Sequence, residues 1–252
     1  MAVKSADRVM QILELLVTYP IGLTIKDISE MLSYPQSSTF NLVQSLYQND
    51  FLTQTSLKKY KLGPKLIQIG TRALESLDIH SEALPYLTGL MEKVSETVFM
   101  AVLSGSEIVY VSKVSNNRSI QTSAQIGSRK PLYCTGLGKA FLAHLPLDER
   151  KHIIENIGLK AITSKTIIKT EELERQLKQF AIQGYAIDDE EGEEGLFCLA
   201  APIFDANQRI TAAISVAGPK ERMVLQKDNI VMRLLDTAYR ISKSIGFTKR
   251  ED

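Results

Sequence analysis

The start of the chain crowds three short helical patterns and a strand pair into its first 65 residues, and this constrains the fold more than any other feature. Ala6–Thr18 places Val9, Ile12, Leu13, Leu16 and Val17 at the helical period. Asp7 falls in the first turn, where a carboxylate suits the helix dipole. Tyr19, Pro20 and Gly22 end that helix. Thr24 reads as the N-cap of a second helix, Ile25–Leu32, with Asp27 three positions on, as in a capping box. After a break at Ser33–Pro35 the third helix runs Gln36–Asn49. Its expected inward residues are Phe40, Val43, Leu46 and Tyr47, with Ser37, Ser38, Asn41, Gln44, Ser45 and Gln48 opposite. Phe51–Thr53 and Lys59–Leu62 flank a polar turn, which predicts a β-hairpin. Three helices closed by a hairpin describe a winged helix-turn-helix over residues 1–63.

From Gly63–Pro64 a further amphipathic helix, about Lys65–Leu77, reads as a linker spanning 64–79. The texture then changes over 80–252. Helices are expected at Glu82–Val94, Gly136–Leu145, Leu147–Asn156, Glu171–Gln183 and Asp228–Ile245. Strands are expected at Thr97–Leu103, Glu107–Val114, Ser119–Ile126, Tyr185–Asp188, Phe197–Phe204 and Ile210–Ala217. Mixed order with strand pairs close in sequence predicts an α+β fold with a largely antiparallel sheet flanked by helices. No stretch has the roughly 18 apolar residues of a membrane span. The first residues do not read as a secretion signal, so a cytoplasmic protein is expected.

Net charge is +1, which gives no overall attraction for nucleic acid. The distribution says more. Residues 1–65 hold seven basic residues against five acidic, and Lys58, Lys59, Lys61 and Lys65 have no acid among them. The second helix of a helix-turn-helix enters the major groove and needs short polar side chains. Gln36, Ser37, Ser38, Thr39 and Asn41 meet that need. Lys58, Lys59 and Lys61 would lie on the wing against the DNA backbone, adding affinity through counterion release.

These segments resemble the IclR family of bacterial transcriptional regulators. The resemblance rests on VKSADR (3–8) with ILELL (12–16), PQSST (35–39) and YKLG (60–63). Further blocks are PLYCTGLGKA (131–140), GYAIDDEE (184–191), CLAAPIF (198–204) and AISVAGP (213–219). It implies a winged helix-turn-helix, a linker helix and a GAF-like effector domain, working as a homodimer or homotetramer on double-stranded palindromic operators. Two positions depart from the family pattern. Asn41 stands where Arg is common and Gln36 where Lys is common, which shifts the load for affinity onto the wing lysines.

Cys134–Lys139 lies before and within the first turn of a helix. Glycines there admit a ligand to the backbone, and unpaired N–H groups favour an anion such as a carboxylate. The spacing is not that of a phosphate loop. By resemblance, effector contacts fall on Gly136, Leu137, Asp188, Cys198 and Ser215, while Ala217 replaces a second serine. The expected effector is a small carboxylate: a sugar acid or a hydroxy or keto acid. A repressor of a catabolic operon is favoured over an activator.

Two other functions stay open. The acidic run from Asp188 to Glu194 admits a small-acid hydrolase. Cys134 and Cys198 admit a thiol redox sensor within the same regulator. His80, His144 and His152 occur singly and do not form a ligand set, so neither a metal nor a cofactor is expected, and no enzyme.

Overall fold

α1 (Lys4–Thr18) buries Ile12 and Leu16. α2 (Ile25–Leu32) begins on a complete capping box. Thr24 Oγ1 accepts the Asp27 N–H at 3.2 Å, and Asp27 Oδ2 accepts the Thr24 N–H at 2.9 Å. A cap of this kind contributes about 1 kcal/mol. Ser33 ends α2 in the left-handed conformation, and α3 (Gln36–Gln48) follows Pro35. β1 (Leu52–Gln54) and β2 (Tyr60–Leu62) form the antiparallel wing, with Thr53 opposite Lys61. A bridge from Leu23 to Tyr60 ties the wing to the entry of α2. Ile12, Leu16, Ile28, Val43, Leu46 and Leu52 make the core of this layer. This is the expected winged helix-turn-helix.

The protein is described by a computed structural model covering residues 3–69, 79–116, 118, 122 and 124–248. The chain divides into two compact units, Met1–Leu77 and Asp78–Asp252. A helix over residues 64–69, α4, opens the expected linker. The rest of that expectation, to Leu77, lies outside the described residues. Among the described residues no helix is long and apolar enough to cross a membrane.

The second unit runs α5 (Ile79–Val94), β3 (Thr97–Ser104), β4 (Glu107–Val114), β5 (Arg129–Pro131), α6 (Gly136–His144), α7 (Leu147–Ile157), α8 (Thr170–Gln183), β6 (Ala186–Asp189), β7 (Leu196–Phe204), β8 (Ile210–Pro219), α9 (Lys220–Leu225) and α10 (Lys227–Ser244). Its sheet has the order β5-β4-β3-β8-β7-β6, and every neighbouring pair is antiparallel. The expected α+β fold is therefore observed. The strand expected over 119–126 is not: its described positions, 122 and 124–126, are outside any strand. The edge strand is instead β5, three residues paired to β4. α9 was not expected from the sequence.

β7 and β8 are apolar on both faces, as strands covered by helices on both sides must be. Leu199, Ala201, Ile203, Ile214 and Val216 face the cluster containing α5 and α10. The opposite face carries small residues, Cys198, Ala200, Ala213 and Ala217, toward α6 and α8. Small side chains let α6 approach the sheet and leave room beside its first turn. Gly138 shows how close α6 comes to the loop before it: a Cβ there would lie 2.3 Å from the Leu132 Cα and O.

Candidate nucleic-acid interface and ligand pocket

The buried stripe of α3 is Thr39, Val43 and Leu46, with Leu42 half-buried beside it. Val43 and Leu46 are buried as the sequence predicts, and the ends of the expected stripe are not. Phe40 and Tyr47, expected inward, are 49% and 41% exposed. Thr39, expected to face DNA, is fully buried and its Oγ1 donates to Pro35 O at 3.1 Å. That hydroxyl is satisfied within the helix, so a β-branched Thr fills the core position at little cost. Thr39 is therefore withdrawn from the reading face. Val17 is likewise 66% exposed rather than inward.

The exposed face of α3 holds Gln36, Ser37, Phe40 and Asn41, with Ser38 half-buried at its edge. Arg8 Nη1 donates to Ser38 Oγ at 3.3 Å, and its guanidinium lies 4.8 Å over the Tyr34 ring. α1 thus brings a cation to the N-terminal end of an uncharged helix. Sequence reasoning missed this, because Arg8 lies 30 positions from Ser38. Gln44 Nε2 donates to the Tyr60 hydroxyl at 2.8 Å and joins α3 to the wing. On the wing, Lys58 and Lys61 are exposed and Lys59 is half-buried. Lys59 and Lys61 alternate with buried Tyr60, so both leave the side away from the core. Lys58 sits at the tip with φ 57°.

In the second unit a cavity of about 120 Å³ opens beside the first turn of α6. Gly136, Leu137, Asp188, Cys198 and Ser215, the five residues expected to contact an effector, all line it. The register explains why: β6 sets Asp188 opposite Cys198, and β8 sets Ser215 opposite Ala200, two places along β7. Ala217, opposite Cys198, lines the cavity too.

Three features of this cavity would favour an anion, set against the carboxylates of Asp188 and Glu193 in its lining. Thr135 caps α6 by accepting the Gly138 N–H at 3.1 Å, while donating to Pro131 O at 3.0 Å. The first-turn N–H groups of Gly136 and Leu137 have no intrahelical acceptor and sit at the positive end of the helix dipole. Ser215 is 1% exposed, and its hydroxyl has no partner stronger than the neighbouring Cys198 thiol within the described residues. Buried polar groups are rarely left so, since each costs about 1–3 kcal/mol. Tyr110 adds a phenol to the wall, edge-on to Phe99 with ring centroids 5.0 Å apart. Burial raises its pKa. Sequence reasoning missed Tyr110, and it placed Thr135 in the candidate fragment without its role as the cap.

Asp188 is 3% exposed and its Oδ1 accepts the Glu191 N–H at 2.8 Å. Burial pushes its carboxyl up to about 6, against the pull of Lys139. Lys139 is fully buried and pairs with Glu191, with Gln176 Oε1 at 2.9 Å. It does not line the cavity. The loop after Asp188 is held from outside. Lys220 lies 2.6 Å from both Asp189 and Glu190, and Lys165 bonds Glu190. These lysines hold the Glu190 carboxyl down at about 2. Thr163 and Thr166 donate to the carbonyls of Glu190 and Glu191 at 2.6 and 2.7 Å.

The acidic run is thus divided between a pocket wall, a buried ion pair and a surface clasp. Among the described residues no cluster of His, Cys, Asp or Glu could hold a metal ion. Cys134 and Cys198 are both buried, and burial pushes each thiol up to about 12. A thiol held protonated is a poor nucleophile, which argues against a redox sensor.

A winged helix-turn-helix followed by an α+β domain with such a pocket is the build of a transcriptional regulator. Residues 5–56 match the IclR helix-turn-helix domain, and residues 71–243 match the bacterial transcriptional regulator IclR C-terminal domain. The chain is 30% identical over 247 residues to the HTH-type transcriptional regulator XynR of Escherichia coli K12, covering 97% of this chain and 98% of the relative. It is 34% identical over 247 residues to the HTH-type transcriptional repressor AllR of Salmonella paratyphi A, covering 96% and 90%. The crystal structure of the repressor BlcR of Agobacterium tumefaciens superposes with a TM-score of 0.84 at 25% identity, covering 98% and 99%. The chain belongs to the IclR family of bacterial transcriptional regulators. These relatives are named as regulators and repressors, not as enzymes.

Proposed function

We propose that the protein is a repressor that binds a specific palindromic operator through α3 and the wing, and that a small carboxylate bound beside α6 controls its operator affinity. The observation that carries the effector reading is the convergence of Gly136, Leu137, Asp188, Cys198 and Ser215 on one cavity at the first turn of α6. The size of the cavity favours a compact ligand. An engineered 150 Å³ apolar cavity takes benzene, so about 120 Å³ suits a small hydroxy, keto or sugar acid. Repression is favoured by relatives named as repressors, and a catabolic operon by the acid expected as effector. The protein would act in the cytoplasm, where its DNA is.

Homodimerisation fits an exposed apolar stripe along α1, where Val3, just before the helix, and Met10 and Val17 on it recur every seven residues at 64%, 52% and 66% exposure. The effector would favour one arrangement of the paired DNA-binding domains over another. Fluorescence anisotropy with DNA from upstream of the protein's own gene tests this reading, titrated with a panel of hydroxy, keto and sugar acids. Nanomolar, sequence-preferring binding that one acid shifts at least fivefold is expected. Binding indifferent to sequence, or unmoved by every acid, would refute it.

Asp188 gives this effector a pH signature. Above about 6 the carboxylate is charged and repels a bound anion, and below it is neutral and can donate a hydrogen bond. An anion therefore raises the Asp188 pKa further, and binding takes up a proton. If the anion makes Asp188 hold its proton about tenfold more tightly, affinity for an acid that stays ionised rises by the same factor, about tenfold, from pH 8 to pH 5. Asp188→Asn is expected to flatten that profile in calorimetric titrations. A wild-type profile that is flat, or that falls toward acid, contradicts it.

A further inference from the structure

Phe40 stands in the middle of the outward face of α3. It is 49% exposed, belongs to no buried cluster, and stacks on no other ring among the described residues. Its neighbours on that face are Gln36, Ser37 and Asn41, and α3 carries no charged residue from Gln36 to Gln48. Every side chain around the ring can hydrogen-bond; the phenyl cannot. A phenyl exposed within a polar face forgoes the burial such a ring gains in a core. Phe40 begins the second turn of α3, about 6 Å along the axis from its first residue. In a helix-turn-helix these early residues are the ones that reach base edges.

The major groove offers one apolar group to such a ring. Oxygen and nitrogen atoms mark the base edges, except for the 5-methyl group of thymine. Gln36, Ser37 and Asn41 can read the donors and acceptors; Phe40 can read only the methyl. Resting on the reading that α3 enters the groove, we propose that Phe40 is a specificity-determining residue whose ring packs on a thymine 5-methyl group in each operator half-site. A flat phenyl covers that methyl and excludes water from it. Cytosine, which lacks the methyl, would leave the ring against a wet edge.

The test uses the full-length protein and a duplex selected from a random pool. Each thymine pair related by the palindrome is replaced in turn by deoxyuridine, which removes the methyl and leaves base pairing intact. At one pair the wild type is expected to lose about fourfold in affinity per half-site, the worth of one buried methyl group, and about fifteenfold for both. Phe40→Ala is expected to bind the thymine site more weakly and to be indifferent to deoxyuridine there, while keeping the wild-type response elsewhere. Phe40→Leu, which keeps apolar surface, is expected to retain part of the discrimination. The buried stripe of α3 is untouched in both variants, and an unchanged melting curve confirms the fold.

If the wild type selects a sequence but no thymine response depends on residue 40, the proposal is overturned while the regulator reading stands. That outcome, with Phe40→Ala changing the oligomeric state instead, would place the ring at a contact between copies. If no sequence is selected at all, the regulator reading fails and this proposal with it.

Discussion

Replacing Lys58, Lys59 and Lys61 together is expected to flatten the salt dependence of operator binding. Each lysine that meets a phosphate releases condensed counterions, and the slope of log affinity against log salt falls by about 0.9 for every phosphate that no longer has its lysine. In the proposed dimer, three lysines from each subunit would neutralise six phosphates, so the slope should drop by about 5. Between 50 and 200 mM salt the wild type should then lose roughly a thousandfold more affinity than the variant. The variant needs care at its tip. Lys58 has φ 57°, so Asn, which tolerates the left-handed conformation, is the right replacement there. Gln serves at the other two positions, and Tyr60 between them stays buried. The ranking of operator sequences should not change, because phosphate contacts carry no base identity. Anisotropy titrations at five salt concentrations read both quantities. A slope within one unit of wild type would remove the wing from the DNA backbone. It would leave Arg8, beside Ser38, as the nearest cation to α3.

Local chemistry explains which elements were legible in the sequence. Thr24 and Asp27 announce the start of α2 because a capping box is complete within four residues. β7 and β8 announce themselves as long apolar runs. The first buried position of α3 did not, because Phe40 is a better core residue than Thr39 by composition alone. Only the position of α3 against Ile12, Ile28 and Leu52 settles which of the two turns inward, and Thr39 incurs no penalty because its hydroxyl finds Pro35 O. The edge strand β5 is three residues long and holds Arg129, Lys130 and Pro131, with no alternation to read. Its place comes from pairing with β4.

The pocket was legible in part for a similar reason. Gly136, Leu137, Asp188, Cys198 and Ser215 fall in recognisable blocks, and the antiparallel register then brings them to one cavity. Tyr110 has no motif around it and reaches the cavity only through the pairing of β3 with β4. The roles within the acidic run were hidden as well. Which carboxylate faces the cavity, which is buried and which is clasped depends on Lys139, Lys165 and Lys220, all more than 20 positions away.

Lys139→Met is expected to be the most destabilising single change near the pocket. Lys139 is fully buried, with its ammonium paired to Glu191 and 5.4 Å from the centroid of Phe180. Glu191 is 4% exposed, and its Oε2 already lacks a hydrogen-bond partner. Removing the cation leaves a carboxylate in the interior with its main partner gone and a hydrogen bond from the Ile167 N–H as a weaker offset to its desolvation. Breaking a buried pair in this way costs about 3–5 kcal/mol, which lowers the melting temperature by roughly 10 °C in a domain of this size. Replacing both partners with Lys139→Met and Glu191→Leu should recover most of the loss, because no charge is then stranded. The pH dependence separates a stranded charge from a packing defect. Burial already raises the Glu191 pKa, and without Lys139 it rises further. A carboxyl whose folded pKa is raised destabilises the fold above that pKa and ceases to do so as pH falls through it. The gap between Lys139→Met and wild type should therefore narrow from pH 8 to pH 5, whereas a cavity defect would keep it constant. Because the Glu191 N–H also holds Asp188 Oδ1, the single variant should bind its effector more weakly even at temperatures where it is folded. A melting temperature within 2 °C of wild type at pH 8 would show that Glu191 does not depend on Lys139.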